Sequence, residues 1–125
     1  MKAISQEIQN QSIKSLESTC NKLATAYQRM TEKGVNTTLV KKRLNAVKMG
    51  LESLKNIWNG ENFSYDEEAI LISKKILEDI MPSIEKQIAK AKEGSSQKTL
   101  NDRRLTALKL AIESLEKRLS TSLSD

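Results

Sequence analysis

The sequence predicts an all-α protein, an antiparallel up-down-up-down bundle of four helices built from two tandem helical hairpins. Two observations support this prediction. The segment 38–54 (TLVKKRLNAVKMGLESL) recurs sixty-one residues later as segment 99–115 (TLNDRRLTALKLAIESL), and nine of the seventeen positions are identical. The chain of 125 residues is rich in Leu, Ile, Lys, Glu and Ala but has only four glycines and one proline, a composition typical of helices rather than sheets.

The first predicted helix has apolar residues at alternating intervals of three and four. Because an α-helix has about 3.6 residues per turn, this spacing places them on one stripe. The stripe consists of Ile13, Leu16, Cys20, Leu23, Tyr27 and Met30, and Ile4 and Ile8 extend it by two turns. We expect the helix to end near Gly34, since glycine readily adopts the left-handed conformation of a helix C-cap.

The second predicted helix begins about Thr37, with Asn36 or Thr37 as its N-cap, and ends at Asn59-Gly60. Its stripe consists of Val40, Leu44, Val47, Leu51, Leu54 and Trp58. Gly50 lies beside this stripe, and the second copy of the repeat has Ala111 at the same place. Two small residues at one position indicate either a close approach between helices or neutral drift at a half-exposed site.

The third predicted helix begins at Ser64, because Ser64 and Glu67 have the spacing of a capping box. Pro82 lies in its middle and predicts a kink between residues 79 and 82. The fourth helix takes Ser95 or Ser96 as its N-cap. Its stripe consists of Leu105, Leu108, Ile112, Leu115 and Leu119.

A shift of sixty-one residues also aligns the apolar stripe of the first helix with that of the third. The repeating unit is therefore a whole hairpin. One hairpin alone leaves its apolar stripes in water, whereas two hairpins can cover each other. We predict a single domain over residues 1–125, with one repeat at about 5–60 and the other at about 64–121.

The net charge of +5 is unevenly distributed, since segment 33–58 carries +5 and segment 59–97 carries −3. Two interpretations are open for the lysines that recur every seven residues in the second helix. In the first interpretation, they form a solvated flank that pairs with Glu67, Glu68, Glu78 and Glu85 of the third helix. Alternatively, they belong to a phosphate-contacting surface that comprises Lys41, Lys42, Arg43, Lys48, Lys55, Arg103 and Arg104.

Residue types that support catalysis or metal binding are scarce. Histidine is absent, and Cys20 is the only cysteine, so no internal disulfide can form. We therefore expect no enzyme activity, no cofactor and no metal. The longest apolar run, residues 69–72, is far shorter than the roughly 20 residues of a membrane-spanning helix, and the N-terminus lacks the apolar core of a secretory signal. We expect a cytoplasmic protein with no membrane span.

Trp58-Asn59-Gly60 joins the second and third predicted helices, and in this respect it resembles the Trp-x-Gly turn of the small secreted helical-hairpin proteins of specialised bacterial secretion. That resemblance implies a single hairpin with a Tyr-x-x-x-acid export motif at the tail. This chain departs from the pattern, because four helices are predicted and residues 119–125 lack the motif. The residues also have a simpler interpretation, in which Trp58 covers one end of the core and Gly60 ends the helix.

Our first functional hypothesis is a small soluble protein-binding module, of the adaptor, inhibitor or immunity/anti-toxin type, that acts through an exposed face of the third helix. Apolar residues there cover more of the circumference than one core stripe needs, namely Ile70, Leu71, Ile72, Ile76 and Ile80. The partner is either another protein or a second copy of this chain. The alternative hypothesis is a nucleic-acid-binding bundle that uses the basic surface of the second helix.

Overall fold

The computed structural model describes residues 3–124, and the side chains of residues 3–120. Four helices follow one another in the chain: α1 (Gln6–Glu32), α2 (Thr38–Asn59), α3 (Glu67–Lys90) and α4 (Ser96–Ser124). α2 and α4 contact each other and both remaining helices, whereas α1 and α3 do not touch within the described residues. The predicted all-α four-helix bundle is confirmed, while the antiparallel order and the duplication stay predictions.

Short polar side chains define where the helices begin. Ser95 Oγ accepts a hydrogen bond from the Lys98 amide at 3.1 Å, in agreement with one of the two predicted caps. The predicted start of α3 is wrong by two residues, because Asp66 rather than Ser64 is the N-cap. The Asp66 carboxylate accepts from the Ala69 amide at 2.8 Å, and its negative charge suits the positive end of the helix dipole.

Two other predictions about helix ends and interruptions have different outcomes. Gly60 ends α2 in the left-handed conformation with φ 71°, as predicted. α3 runs through Pro82 as a single helix, and the kink between residues 79 and 82 stays a prediction. Pro82 and Glu78 are both exposed, so water can solvate the Glu78 carbonyl that loses its backbone donor to the proline ring.

α2 and α4 supply most of the hydrophobic core, and they approach closely where two small residues meet. A Cβ built on Gly50 lies only 3.0 Å from the Ala111 Cβ and 3.3 Å from Leu77 Cδ1. The small residue beside the stripe of α2 therefore permits close helix packing. The buried residues of the two helices are Ala46, Val47, Met49, Gly50, Leu51, Ser53 and Leu54 in α2, and Asn101, Ala107, Leu108, Leu110, Ala111, Ile112, Ser114 and Leu115 in α4.

A buried chain of hydrogen bonds lies beside this close contact. Ser114 donates to the Ala111 carbonyl at 2.7 Å, so the hydroxyl of Ser53 is the donor in the 2.8 Å bond between the two serines. Arg118 Nε donates to Ser53 Oγ at 2.8 Å, and Arg118 Nη2 donates to Asn56 Oδ1 at 2.7 Å. The hydroxyls of Ser53 and Ser114 are therefore both hydrogen-bonded, which offsets the free-energy cost of burying them.

One buried polar side chain is less well paired. Asn101 is 0% exposed, and its Oδ1 accepts from Arg104 Nη1 at 3.3 Å. Its Nδ2, like Arg104 Nη2, is buried with no hydrogen-bond partner among the described residues. The residue sixty-one positions earlier is Val40, so an aliphatic side chain occupies the matching position in the first half of the chain.

We expect Gly50→Ala to lower the free energy of unfolding by about 1 kcal/mol, because crowding against Ala111 outweighs a gain in helix propensity of about 1 kcal/mol. Combining Gly50→Ala with Ala111→Gly leaves one methyl group in the gap. The double variant should then be more stable than the sum of the single changes implies. Urea unfolding of all four proteins measures the coupling, and additive effects would show that the two residues do not crowd each other.

We expect Asn101→Val to raise the free energy of unfolding by about 1 kcal/mol, since it replaces a buried unpaired amide donor with an apolar group. Arg104 Nη1 loses its acceptor, and because Arg104 Nη2 is already buried without a partner among the described residues, the gain requires the guanidinium to turn towards water. Thermal and urea unfolding of the variant test this. Asn101→Asp is the matched control, because a buried carboxylate in the same place should destabilise the fold. If Asn101→Val were less stable than the unmodified protein, the amide would contribute net stability.

Candidate functional site

The structure separates the five apolar residues that the sequence assigned to a partner-binding face of α3. Ile70 is 5% exposed and belongs to the core, whereas Leu71 and Ile72 are 57% and 53% exposed. Ile76 and Ile80 are half-buried and pack against the core from outside. Successive helical residues lie roughly 100° apart, so Leu71 and Ile72 point in different directions.

Ile72 and Ile76 line a groove between α2 and α3, which we call the α2–α3 groove. It has a volume of about 380 Å³. Met49 and Ser73 are buried at its floor, and Ile72 stands exposed at its rim. The lining residues are Lys42, Asn45, Lys48 and Met49 from α2, Ala69, Ile72, Ser73 and Ile76 from α3, and Tyr65 from the segment before α3.

The α2–α3 groove also contains two of the basic residues that the sequence assigned to phosphate contact. Lys42 and Lys48 are both exposed and line the side formed by α2. Within residues 3–124 neither ammonium group lies at ion-pair distance from a carboxylate. One concave surface therefore combines exposed aliphatic carbon with two unneutralised positive charges.

The other basic residues of α2 do not join this groove. Lys55 Nζ lies 3.6 Å from the Glu17 carboxylate, and Lys41 Nζ lies 6.0 Å from the centre of the Tyr27 ring. Both contacts connect α2 to α1, whereas the sequence argument placed the pairing of these lysines with α3. Arg43 is exposed and does not line the α2–α3 groove.

The two arginines of α4 are also separate from the α2–α3 groove. Arg104 is half-buried and donates to Asn101. Arg103 is exposed and lines a second groove of about 280 Å³, which we call the α1–α4 groove. The seven basic residues proposed from the sequence therefore do not form one continuous surface.

Tyr65 was not identified from the sequence, yet it forms one end of the α2–α3 groove. Its phenol donates a hydrogen bond to the Glu52 carboxylate, and this bond raises the pKa of Tyr65 to about 12. Its ring also packs against Phe63, with 5.1 Å between ring centroids. Two contacts thus hold a 40% exposed aromatic side chain at the edge of the groove.

The α1–α4 groove corresponds in part to the α2–α3 groove. Five of its lining residues lie sixty-one positions from lining residues of the other groove: Ile8 and Ala69, Gln11 and Ile72, Ser12 and Ser73, Arg103 and Lys42, Thr106 and Asn45. The two grooves differ at their rims. Gln11 replaces the exposed isoleucine, and Asp102 adds a carboxylate that pairs with Lys98 at 3.0 Å.

Two kinds of feature are absent from the described part of the chain. Across residues 3–124, His, Cys, Asp and Glu side chains form no group of three or more that could hold a metal. None of the helices in that range is long and apolar enough to span a bilayer. Cys20 is half-buried in the depression between α1 and α2, and burial raises the pKa of its thiol.

Comparison of the chain with protein-family models, with curated proteins and with solved structures finds no match. Among the surfaces of the chain, the α2–α3 groove is where both sets of sequence-predicted site residues meet, because it contains Ile72 and Ile76 together with Lys42 and Lys48.

We expect Cys20 to react slowly with a chromogenic disulfide reagent at about pH 8.5, the ordinary pKa of a thiol, because burial disfavours the thiolate. The pH profile of the rate should lie at higher pH than that of the chain unfolded in guanidinium. Lys48→Gln should move the profile of the folded protein to still higher pH, since the Lys48 charge lowers the pKa that burial raises. Coincident profiles for folded and unfolded chains would contradict the assigned burial effect.

Proposed function

We propose that this protein is a small protein-binding module, of the adaptor, inhibitor or immunity type, that binds another protein through the α2–α3 groove. The observation that carries the proposal is the position of Ile72, a branched aliphatic side chain 53% exposed at the rim of a concave surface. The folded monomer gains little from such a side chain at this place. It contributes to stability only when another surface covers it.

The composition of the groove supports a protein partner. Covering a fully exposed isoleucine contributes about 1.5–3 kcal/mol, and Ile76, Ala69 and Met49 add apolar surface beneath it. Tyr65 supplies a large rigid ring with a polar end, a type of residue that is frequent at protein interfaces. Ile72 and Tyr65 are therefore the proposed anchor residues.

A nucleic-acid partner, the alternative hypothesis, has weaker support. A phosphate backbone is best bound by a row of free cations, but Lys55 is paired with Glu17 and Lys41 lies over Tyr27. Lys42 and Lys48 remain, and apolar residues rather than further cations surround them. This arrangement favours a partner that offers both apolar and acidic groups.

We also propose that the bundle arose by duplication of a hairpin whose neighbouring helices run antiparallel. Support comes from two contacts between residues sixty-one positions apart, Ser53 with Ser114 and Gly50 with Ala111. The antiparallel order is supported by α1 and α2, where Glu17 meets Lys55 and Tyr27 meets Lys41. A cytoplasmic location and the absence of enzymatic activity belong to the same proposal.

Affinity capture from a lysate of the source organism, with and without nuclease and at two salt concentrations, tests the proposed function. We expect one protein to be retained by the unmodified chain, and to be lost with Ile72→Asp because a charge cannot be buried in an apolar contact. Gln11→Asp is the matched control, since Gln11 occupies the corresponding position in the α1–α4 groove. It should retain the partner.

Circular dichroism of both variants separates loss of binding from loss of fold, because Ile72 is exposed and its replacement should leave helicity unchanged. Equal capture by the unmodified chain and by Ile72→Asp would show that the groove is not the binding site. Recovery of nucleic acid alone, lost at higher salt and after nuclease treatment, would support the alternative hypothesis instead.

A further inference from the structure

We infer that the occupant of the α2–α3 groove is an acidic amphipathic helix of the partner protein, seated with its apolar stripe on Ile72 and Ile76 and its carboxylates towards Lys42 and Lys48. This inference rests on the proposed function. It adds the chemical class of the bound segment and the direction in which its charges face.

Charge is the first support for an acidic occupant. Lys42 and Lys48 line the groove without an ion-pair partner within residues 3–124. Asn45 between them is neutral, and the Glu52 carboxylate of α2 accepts the hydrogen bond from Tyr65 at the end of the groove, away from Lys42. An occupant with carboxylates on that flank would neutralise both cations, whereas a basic occupant would be repelled.

The opposite side of the groove has a different charge pattern. On α3, Lys75 pairs with Asp79 at 3.4 Å, and Glu68 lies one helical turn before Ile72 without an ion pair in the described part of the chain. The residues of α3 that line the groove are uncharged, whereas α2 lines it with two cations. The difference fixes the orientation of the occupant, with its acidic flank towards α2.

The length of the groove matches two turns of a helix. The span from Ala69 to Ile76 on α3 is seven residues, which corresponds to roughly 10 Å at 1.5 Å per residue. Apolar side chains spaced three, four and seven apart on an amphipathic helix cover the same distance. Lys42 and Lys48 are six residues apart, which is roughly 9 Å along α2. Acidic residues seven apart on one flank of the bound helix have nearly the same separation, roughly 10 Å.

Comparison with the α1–α4 groove indicates which features are specific to the binding site. Both grooves have a basic residue at matching positions, Lys42 and Arg103. At the position of Ile72 the α1–α4 groove has Gln11, and its one exposed isoleucine, Ile8 at 39%, lies instead at the position of Ala69. The α1–α4 groove is smaller, about 280 Å³ against 380 Å³, and has one lining cation instead of two, so it should bind an acidic amphipathic helix more weakly.

The probe for this inference is a fluorescent synthetic helix of about 18 residues, long enough to fold in part by itself, with a leucine stripe and glutamates along one flank. Three control peptides accompany it. One has glutamine in place of every glutamate, one has lysine, and one has the same composition in scrambled order. Fluorescence anisotropy with the full chain, at low and at physiological ionic strength, measures the dissociation constants.

We expect the acidic helix to bind at least about tenfold more tightly than each control peptide, and its affinity to fall as salt screens the lysines. Lys42→Gln and Lys48→Gln should each weaken binding about threefold, the size typical of exposed ion pairs. Ile72→Gln, which reproduces the rim of the α1–α4 groove, should weaken it at least tenfold. Arg103→Gln in the α1–α4 groove should leave the affinity unchanged.

An affinity for the acidic helix no higher than for the scrambled or glutamine peptides would overturn the inference. The same conclusion would follow if Arg103→Gln weakened binding as much as Lys42→Gln, or if a short DNA duplex competed for the groove more strongly than the peptide. The proposed function fails separately. If capture of the partner is lost with Ile72→Asp but unaffected by Lys42→Gln and Lys48→Gln, the groove binds a protein and only the acidic class is wrong.

Discussion

The close contact between α2 and α4 is the constraint on which the rest of the bundle depends. Gly50 and Ala111 allow the two backbones to approach, and this brings Ser53 and Ser114 within 2.8 Å of each other. α1 and α3 are then held on opposite sides of the central pair and do not touch within the described residues. A more regular square arrangement would have no such direct diagonal contact.

The α2–α3 groove is a consequence of that arrangement. α3 directs Ile70 and Leu77 into the core between α2 and α4, which uses one stripe of its circumference. Ile72 lies roughly 160° away from Ile70 on the helix and cannot reach the same core. The excess of apolar residues in α3 therefore remains on the surface, beside two lysines of α2 that make no ion pair among the described residues.

The sequence predicts the helices and the stripes that face the core, because both depend on local spacing. It predicts the end of α2 at Gly60 and one of the two caps for α4. It places the start of α3 at Ser64 instead of Asp66, because spacing alone does not show which side chain accepts from a free amide of the first turn. It also cannot separate Ile70 from Ile72, because their burial depends on how α3 is rotated against its neighbours. The groove itself joins residues far apart in sequence, and the partner of Lys55 depends on where α1 lies.

The serine pair has a consequence for the order in which the protein folds. It joins residues sixty-one positions apart, and Arg118 reaches Ser53 across sixty-five, so these bonds close long loops. Contacts within each pair of consecutive helices close shorter loops and lose less chain entropy. The hairpins should therefore assemble early, and docking of α4 onto α2 should come last, at the rate-limiting transition state. Any chain in which α4 has not yet docked on α2 leaves the surface around Gly50 uncovered, where a second nascent chain could contact it.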